Sequence, residues 1–286
     1  MGADLIRIST RKGESRRKVN SNNICMWKAE QAVNFEGRVK NAWADTRPTI
    51  FEFADIYPRE KIQADEDRLK KKRARIFAQG AFDKGEDFEL SEDLEYCLME
   101  GIHNRGWFKD SVSVSPGSQY DDMFHGVDLI VNFRIDDNGG EPRYEYLSID
   151  ATVSQDVDVL ERKDAEIQRN LRNGQMGIAE YFINDDAPEI KGTIRMPQVV
   201  YNLLPAEAAE LRRLLGQGDS LSFDDQKLLT RFRDDIVNKI IDQLKKYIDF
   251  LGEAIRVASP DVKIKQAAVR QRHRAVLELV VANKNG

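Results

Sequence analysis

The chain has 286 residues, of which 41% are hydrophobic and 33% are charged, with a formal net charge of −5. This composition is typical of a folded globular protein and argues against a disordered chain. Because the net charge is negative, any nucleic-acid partner would have to be bound by local basic patches.

Cysteine and histidine are scarce. Two isolated cysteines and three histidines without metal-ligand spacing argue against a disulfide framework and against a Cys/His zinc site. No apolar stretch is long enough to span a membrane, and the first residues lack the apolar core of a secretory signal. We therefore expect a cytoplasmic protein without a membrane partner.

The first 85 residues are predicted to form a basic arm followed by a helical extension. Residues 1–23 are interpreted either as a solvated tail or as an arm that contacts a phosphate backbone. Residues 59–79 predict a helix whose acidic residues precede its basic ones, as the helix dipole favours, so a solvated helix and a nucleic-acid contact both stay open. The candidate nucleic-acid contacts are Arg16, Arg17, Lys18, Lys70, Lys71, Lys72 and Arg73.

A second helix is predicted over residues 86–106. Leu94, Leu98 and Ile102 recur at helical spacing, and Ser91 is a candidate N-cap at an internal restart. Glu95 follows Leu94 and is therefore placed at the apolar side of the helix. A loop containing Pro116 is expected after it.

Residues 127–133 and 144–153 are apolar, β-branched runs separated by a Gly/Asp-rich turn at 136–140, which predicts a β-hairpin. Asp128 interrupts the first run and Asp150 the second. A buried carboxylate is costly unless it has a partner. Two carboxylates on adjacent strands predict one shared site for a divalent metal ion.

Alternating helices and strands follow the hairpin, which predicts an α/β core with a mixed sheet. We expect a helix over 156–173, strands over 178–183 and 193–204, and a helix over 206–215. Pro197 makes the second strand an edge strand or a broken one. Lys163 lies beside the inward stripe of the 156–173 helix, which is formed by Leu160, Asp164, Ile167 and Leu171.

Two long helices are predicted at the end of the chain, over 223–257 and from Pro260 to about residue 282. The first keeps an apolar helical period throughout. They are expected to cover the sheet or to pair with each other, and a homodimer through them stays open.

The predicted acidic site suits magnesium. Mg²⁺ prefers oxygen ligands and is often bound by one or two carboxylates, which Asp128 and Asp150 would supply. Glu95, on the preceding helix, is the candidate third carboxylate. A nearby lysine would stabilise a charged transition state. Asp121 and Asp122 are either further ligands or caps of a turn, and His125 either assists proton transfer or is solvated.

The order of these features resembles the PD-(D/E)xK nuclease superfamily, whose fold is restriction-endonuclease-like. The features are Glu95 in the helix before Trp107-Phe108, then Tyr120-Asp121-Asp122, Gly126-Val127-Asp128-Leu129-Ile130-Val131 and Ile149-Asp150-Ala151-Thr152-Val153-Ser154. The resemblance is nearest to uncharacterised bacterial and phage-type members, and it covers roughly residues 88–204. It implies a mixed sheet flanked by helices and Mg²⁺- or Mn²⁺-dependent cleavage of nucleic acid.

One position departs from the superfamily pattern, which has a lysine two residues after Asp150, where this chain has Thr152. Some members carry that lysine on the following helix, and Lys163, 13 residues after Asp150 (163 − 150 = 13), is the candidate. Alternatively, Lys163 reaches solvent or pairs with Asp164 or Glu166. In that case the protein keeps the fold and has lost catalysis.

The sequence thus predicts three regions: an N-terminal arm and helical extension (1–85), a nuclease-like α/β core (86–204) and a helical C-terminal region (205–286). Asp128 and Asp150 would bind the metal with help from Glu95, and Lys163 would stabilise charge. DNA is favoured over RNA as the substrate. The alternative is a catalytically inactive protein of the same fold that binds nucleic acid or assembles with other proteins.

Overall fold

The computed structural model describes residues 46–78, 85–136, 140–217 and 220–284. After a 3₁₀ turn at Ile50–Phe53, this part of the chain contains seven α-helices and six strands. The helices are α1 (Arg59–Ala78), α2 (Gly85–His103), α3 (Gln119–His125), α4 (Val157–Arg172), α5 (Pro205–Gly216), α6 (Phe223–Val257) and α7 (Pro260–Asn283). The strands are β1 (Val112–Pro116), β2 (Leu129–Ile135), β3 (Arg143–Val153), β4 (Gly177–Asn184), β5 (Ala187–Met196) and β6 (Gln198–Leu203).

Four strands form a mixed sheet in the order β1-β2-β3-β6. The first three are antiparallel neighbours, and β6 returns parallel to β3 after α4 and the β4–β5 hairpin. The predicted α/β core with a mixed sheet is confirmed. β4 and β5 pair with each other in a separate two-stranded sheet.

The predicted hairpin is present as β2 and β3, but β2 begins at Leu129, so Asp128 lies just before the strand and not within it as predicted. Pro197 breaks the predicted strand 193–204 into β5 and β6. The break follows from proline, which has no N–H to donate. As predicted for this segment, β6 lies at an edge of its sheet.

Three local predictions were wrong. The expected loop at Pro116 is the end of strand β1. The expected turn at Asp121 and Asp122 is helix α3, capped by Ser118, whose Oγ accepts from the backbone N–H of Asp121 at 3.0 Å. Ser91 is not an internal N-cap, because α2 is continuous through it. Instead its hydroxyl accepts a hydrogen bond from the backbone N–H of Val153 at 3.3 Å.

The two faces of the four-stranded sheet pack against different elements, because side chains alternate along each strand. Leu129 and Val131 of β2 are buried in a core with residues of α2, α5, α6 and α7. Ile130, between them, packs with Tyr146 and with Phe182 of the β4–β5 hairpin. By the same alternation Asp150 shares the second face, which is the face that carries the candidate site.

The C-terminal helices support the sheet in both of the predicted ways. Ile236, Ile240 and Leu244 of α6 are buried against the sheet core, and α7 joins the same core through Val276 and Val280. Full burial of such a side chain contributes roughly 1.5–3 kcal/mol, so this apolar stripe fixes the position of α6 firmly. Among the described residues, no helix is long and apolar enough to cross a membrane.

Candidate active site

Backbone contacts bring Asp128 and Asp150 together. The register of the β2–β3 pair ends at Leu129 opposite Ile149, and Asp128 lies one residue before β2. The backbone N–H of Asp128 donates to the carbonyl of Ile149 at 3.2 Å, and its Oδ2 accepts from the N–H of Ala151 at 2.7 Å. Asp128 is thus held against the residues on both sides of Asp150, so the two carboxylates lie close together.

Asp128 is the more confined of the two. It is 5% exposed, and its Oδ2 accepts a hydrogen bond from the backbone N–H of Ala151 at 2.7 Å. Burial raises the pKa of Asp128 well above its usual range, and the charges of Glu95, Asp122 and Asp150 raise it further, against the opposing effect of Lys163. Several carboxylates thus meet in a buried place, which favours binding of a cation.

Lys163 provides one such cation. Asp150 is 7% exposed, and its Oδ1 accepts a hydrogen bond from the Nζ of Lys163 at 2.5 Å. Burial raises the pKa of Asp150, and the lysine charge partly counteracts this rise. The alternative partners for Lys163 are not the ones observed, because Asp164 accepts instead from Lys246 at 2.8 Å and from the Tyr247 hydroxyl at 2.9 Å.

Arg47 provides a second cation, which sequence reasoning missed. One guanidinium nitrogen contacts Glu95, and the other donates to Oδ2 of Asp122 at 2.7 Å. Burial lowers the pKa of Arg47, but Glu95, Asp122 and Asp128 reverse the effect and hold it above its ordinary value. The arginine is fully charged and links α2 to α3.

The loop between α3 and β2 is shaped to approach Asp150. Gly126 ends α3 in the left-handed conformation, with φ 60° and ψ 45°. A Cβ on Gly126 would lie 2.9 Å from Oδ2 of Asp150, so a side chain here would displace the carboxylate. Gln198 holds the loop from β6, since its amide donates to the carbonyls of Gly126 at 2.7 Å and His125 at 3.1 Å.

These groups lie in a cleft of about 1270 Å³. Its lining combines basic side chains from several elements with seven carboxylates, which are Glu92, Asp93, Glu95, Asp122, Asp128, Asp150 and Glu166. The basic residues that line it are Arg47, Lys72, Arg73, Arg162, Lys163 and Arg195. The cleft therefore carries both signs of charge, with basic side chains close to the buried carboxylates.

All four residues predicted as catalytic, Glu95, Asp128, Asp150 and Lys163, line this cleft. Their catalytic and metal-binding roles stay predictions. Asp122, which the sequence left open as a ligand or a cap, belongs to the same cluster. Neither Asp122 nor Arg47 is marked by any periodic pattern, and the only sequence signal for Asp122 was its place within the resemblance.

Asp121 has a structural role rather than a place among the ligands. Its Oδ1 accepts from the backbone N–H of Glu180 at 2.6 Å, and its Oδ2 accepts from the N–H of Tyr181 at 2.9 Å and from the Ser118 hydroxyl at 2.6 Å. It thus fastens α3 to β4. His125 lines the cleft, with its Nε2 3.9 Å from a carboxylate oxygen of Glu180.

The predicted nucleic-acid contacts divide into three groups. Arg16, Arg17 and Lys18 lie outside the described residues. Lys70 is exposed and pairs with Glu66 at 2.8 Å, and Lys71 is exposed too. Lys72 and Arg73 are half-buried in the cleft wall, where they donate to the carbonyl of Met123 and to the side chain of Gln119.

The residue types present fit a hard divalent cation, because carboxylate oxygens are the ligands that Mg²⁺ and Mn²⁺ prefer. Within the described ranges, no three His, Cys, Asp or Glu side chains are already grouped as a metal-binding set. The ion pairs account for this arrangement: Lys163 holds the carboxylate of Asp150, while Arg47 holds those of Glu95 and Asp122. Neither cation contacts Asp128, which is hydrogen-bonded to the backbone of Ala151.

Comparison of the chain with protein-family models, with curated proteins and with solved structures finds no match.

Proposed function

We propose that this protein is a metal-dependent nuclease that hydrolyses phosphodiester bonds of DNA or RNA. The observation that carries the proposal is the buried pair of Asp128, just before β2, and Asp150, on the adjacent strand β3, with the Lys163 amine 2.5 Å from Asp150. Buried carboxylates with a neighbouring cation in a cleft are typical of functional sites.

The order of elements supports a restriction-endonuclease-like core. A helix with Glu95, a hairpin strand preceded by Asp128, a strand with Asp150 and a helix with Lys163 follow one another in the chain. This is the order that the sequence resemblance implies. The superfamily pattern has its lysine on the strand, two residues after Asp150. Here Lys163 contacts Asp150 from α4, as expected if the lysine has moved to the following helix.

Asp128 and Asp150 would hold the ion, with Glu95 and Asp122 as further carboxylates of the same cleft. A bound Mg²⁺ or Mn²⁺ supplies a Lewis acid that polarises the phosphodiester and lowers the pKa of the attacking water. Glu95, Asp122, Asp128 and Asp150 lie in one cleft and repel one another, and the charges of Arg47 and Lys163 relieve part of that repulsion. A divalent ion bound among these carboxylates would relieve it as well.

The remaining chemistry falls to the side chains of the cleft. Lys163 orients the attacking water or stabilises the negative charge that develops on the phosphate. The basic residues Lys72, Arg73, Arg162 and Arg195 bind the substrate backbone.

In the reaction, water forms a bond to phosphorus and the bond from phosphorus to the leaving oxygen breaks. The water proton is released to solvent or to a carboxylate, and the leaving oxygen takes up a proton. One product end is then a phosphate monoester and the other is a hydroxyl.

A second candidate function is a catalytically inactive nuclease fold that binds nucleic acid or assembles with other proteins. Thr152 in place of the usual lysine favours it, as do the ion pairs that already neutralise Glu95 and Asp150. In this case the acidic cluster would be a structural network.

Cleavage of labelled single- and double-stranded DNA and RNA with Mg²⁺ or Mn²⁺ separates the two candidates. We expect metal-dependent cleavage by the wild type and at least a hundredfold loss in Asp150→Ala, because one buried ligand is removed. Asp242→Ala is the matched control, since Asp242 is an exposed residue of α6, 3.6 Å from Lys245. The nuclease proposal would be refuted if Asp150→Ala kept its activity. It would also be refuted if the wild type cleaved no substrate with either metal.

A further inference from the structure

Positive charges follow the outer face of α4, beside the cleft. Arg162 lines the cleft, and Arg169 lies on the same face of the helix, since the residues between them make about two turns. Arg172 follows three residues later, which places it beside Arg169. All three residues are exposed. At about 1.5 Å per residue, they span about 15 Å of the helix.

The series continues at the start of α7, which packs on the end of α4. The side chain of Gln266 donates to the carbonyl of Arg172 at 2.7 Å. Gly174, just after α4, comes so close to α7 that an added Cβ would lie 2.5 Å from a side-chain atom of Lys265. Lys265 is exposed, and so is Lys263. The basic row, as we call it, consists of Arg162, Arg169, Arg172, Lys263 and Lys265.

The helix dipole accounts for only part of the basic row. Positive charge is favoured at the C-terminus of a helix and disfavoured at its N-terminus. Arg169 and Arg172 lie in the last turn of α4, where the dipole favours them. Lys263 and Lys265 lie in the first two turns of α7, so the dipole does not explain their charges.

Neighbouring carboxylates do not neutralise the basic row. Glu166 lies four residues after Arg162, and Asp261 lies four residues before Lys265, which is the spacing of ion pairs along a helix. Within the described ranges, however, no residue of the basic row is in an ion pair. The row is therefore able to bind an external anion without first breaking a salt bridge.

A chain of phosphates matches the basic row better than one small anion does. Arg162 and Arg172, about 15 Å apart along α4, cannot contact the same phosphate. One strand of a duplex carries a phosphate about every 3.4 Å along its axis, so this distance corresponds to about four nucleotides. Because Arg162 also lines the cleft, a nucleic acid that leaves the cleft over α4 would meet the row.

Building on the proposed nuclease function, we propose that the basic row binds the phosphate backbone of the substrate outside the cleft. The protein thereby prefers nucleic acids that extend several nucleotides beyond the cleaved bond over short oligonucleotides. Neither Arg169 nor Lys265 lines the cleft, so their contribution is separable from the chemistry of Asp128 and Asp150.

The test measures binding of the full-length protein to fluorescent DNA by anisotropy at several salt concentrations, without divalent metal. The probes are a long DNA of about 30 nucleotides, as a single strand and as a blunt duplex, and a single strand of about five nucleotides. The variant is Arg169→Gln/Lys265→Gln, which removes one charge from each helix of the row.

The matched control, Lys227→Gln/Arg231→Gln, also removes two positive charges from exposed positions. Both residues lie near the start of α6. The Arg172 guanidinium faces the ring of Phe250, which is 19 residues after Arg231 on the same helix (250 − 231 = 19). The control charges are thus about 28 Å from the basic row along α6.

We expect the wild type to bind at least one form of the long probe more tightly than the short strand. Arg169→Gln/Lys265→Gln should weaken binding of that long probe about tenfold. It should also reduce the slope of the logarithm of the binding constant against the logarithm of salt concentration by about two, one for each lost phosphate contact. The control should change neither quantity. Equal binding of long and short probes, the same effect from both variants, or wild-type binding by Arg169→Gln/Lys265→Gln overturns the proposal.

The two proposals fail in different ways. If binding of the long probe depends on Arg169 and Lys265 as expected but no substrate is cleaved with Mg²⁺ or Mn²⁺, the nuclease function fails and the basic row stands. If cleavage requires Asp150 but Arg169→Gln/Lys265→Gln binds and cleaves long substrates like the wild type, the nuclease function stands and the basic row fails.

Discussion

Arg47 and Lys163 contact the carboxylates of the cleft and so determine its charge. Lys163 lies within the region of resemblance, beside the inward stripe of a periodic helix, and it could be predicted. Arg47 could not, because it meets Glu95 from 48 residues away in sequence and Asp122 from 75 residues away. No local pattern encodes such contacts, which arise only when Arg47 meets α2 and α3 in the folded chain.

Arg47→Ala should destabilise the protein without metal. The substitution removes a guanidinium from the buried carboxylate of Glu95, which should lower the free energy of unfolding by about 3 kcal/mol. Divalent metal replaces the lost positive charge, so Mn²⁺ should raise the melting temperature more in the variant than in the wild type.

Thermal unfolding with and without Mn²⁺ measures both effects. Arg134→Ala is the control, because its ion pair with Asp136 is exposed and lies at the end of β2. An equal metal-induced shift in wild type and Arg47→Ala would show that Arg47 and the metal do not act on the same carboxylates.

Gly126→Ala should disturb the site more than the fold. A non-glycine residue at φ 60° costs about 1–2 kcal/mol. Here the new Cβ would also press on Asp150 Oδ2. We expect a modest loss of stability and a large loss of metal-dependent cleavage.

Gly174→Ala is the matched control for this prediction. Gly174 has nearly the same left-handed conformation, at φ 67°, but its added Cβ would meet Lys265 of α7, and neither residue lines the cleft. The control should lose stability and keep activity once folded. If both variants retain full activity per folded molecule, Gly126 does not position Asp150.

The elements of the fold could be predicted where sequence periodicity is long. The β2–β3 hairpin and helices α4 and α6 have clear apolar periods, and the structure confirms them. β1 and α3 were missed because they span only five and seven residues and are rich in Ser or Asp, which are typical of turns. Pairing of β4 with β5 in their own sheet depends on long-range packing that no local pattern records.

Gln243 of α6 protects the open edge of the sheet at β6. Its side-chain carbonyl accepts from the N–H of Val200 at 2.9 Å, and its amide donates to the carbonyl of the same residue. Gln243→Ala should lower the free energy of unfolding by about 1–3 kcal/mol, because both backbone groups lose their partner. It should also increase hydrogen exchange at Val200.

Chemical denaturation and amide exchange measure these changes. Gln271→Ala, at an exposed position of α7, is the control and should change neither quantity. Unchanged exchange at Val200 in Gln243→Ala would mean that the edge is protected in another way.

At the scale of the whole molecule, stability should depend on pH through His273, which is buried between α6 and α7. Its Nδ1 lies 2.8 Å from the carbonyl oxygen of Val269, and its ring contacts Tyr247 edge to face. Burial lowers the pKa of His273 from 6.5 to about 4, against the opposing effect of the Val269 carbonyl. The folded state therefore holds the neutral imidazole.

The sign of the effect follows from proton uptake. Between pH 6.5 and pH 4 the unfolded chain binds a proton that the folded one does not, so stability is complete above pH 6.5 and falls as the pH approaches 4. The loss amounts to roughly 3 kcal/mol, at 1.36 kcal/mol for each pKa unit. Urea denaturation across this range should show a smaller decline in His273→Gln, which has no group that titrates there. An identical decline in both proteins would assign the pH dependence to other groups.

The central claim, that Asp128 and Asp150 belong to a divalent-metal site, is tested most directly by calorimetric titration with Mn²⁺. We predict saturable binding to the wild type, weakened at least tenfold in Asp150→Asn and unchanged in Asp242→Asn. Circular dichroism of each variant verifies that the fold is retained. The same Mn²⁺ affinity in wild type and Asp150→Asn, or no saturable binding to the wild type, would contradict the claim.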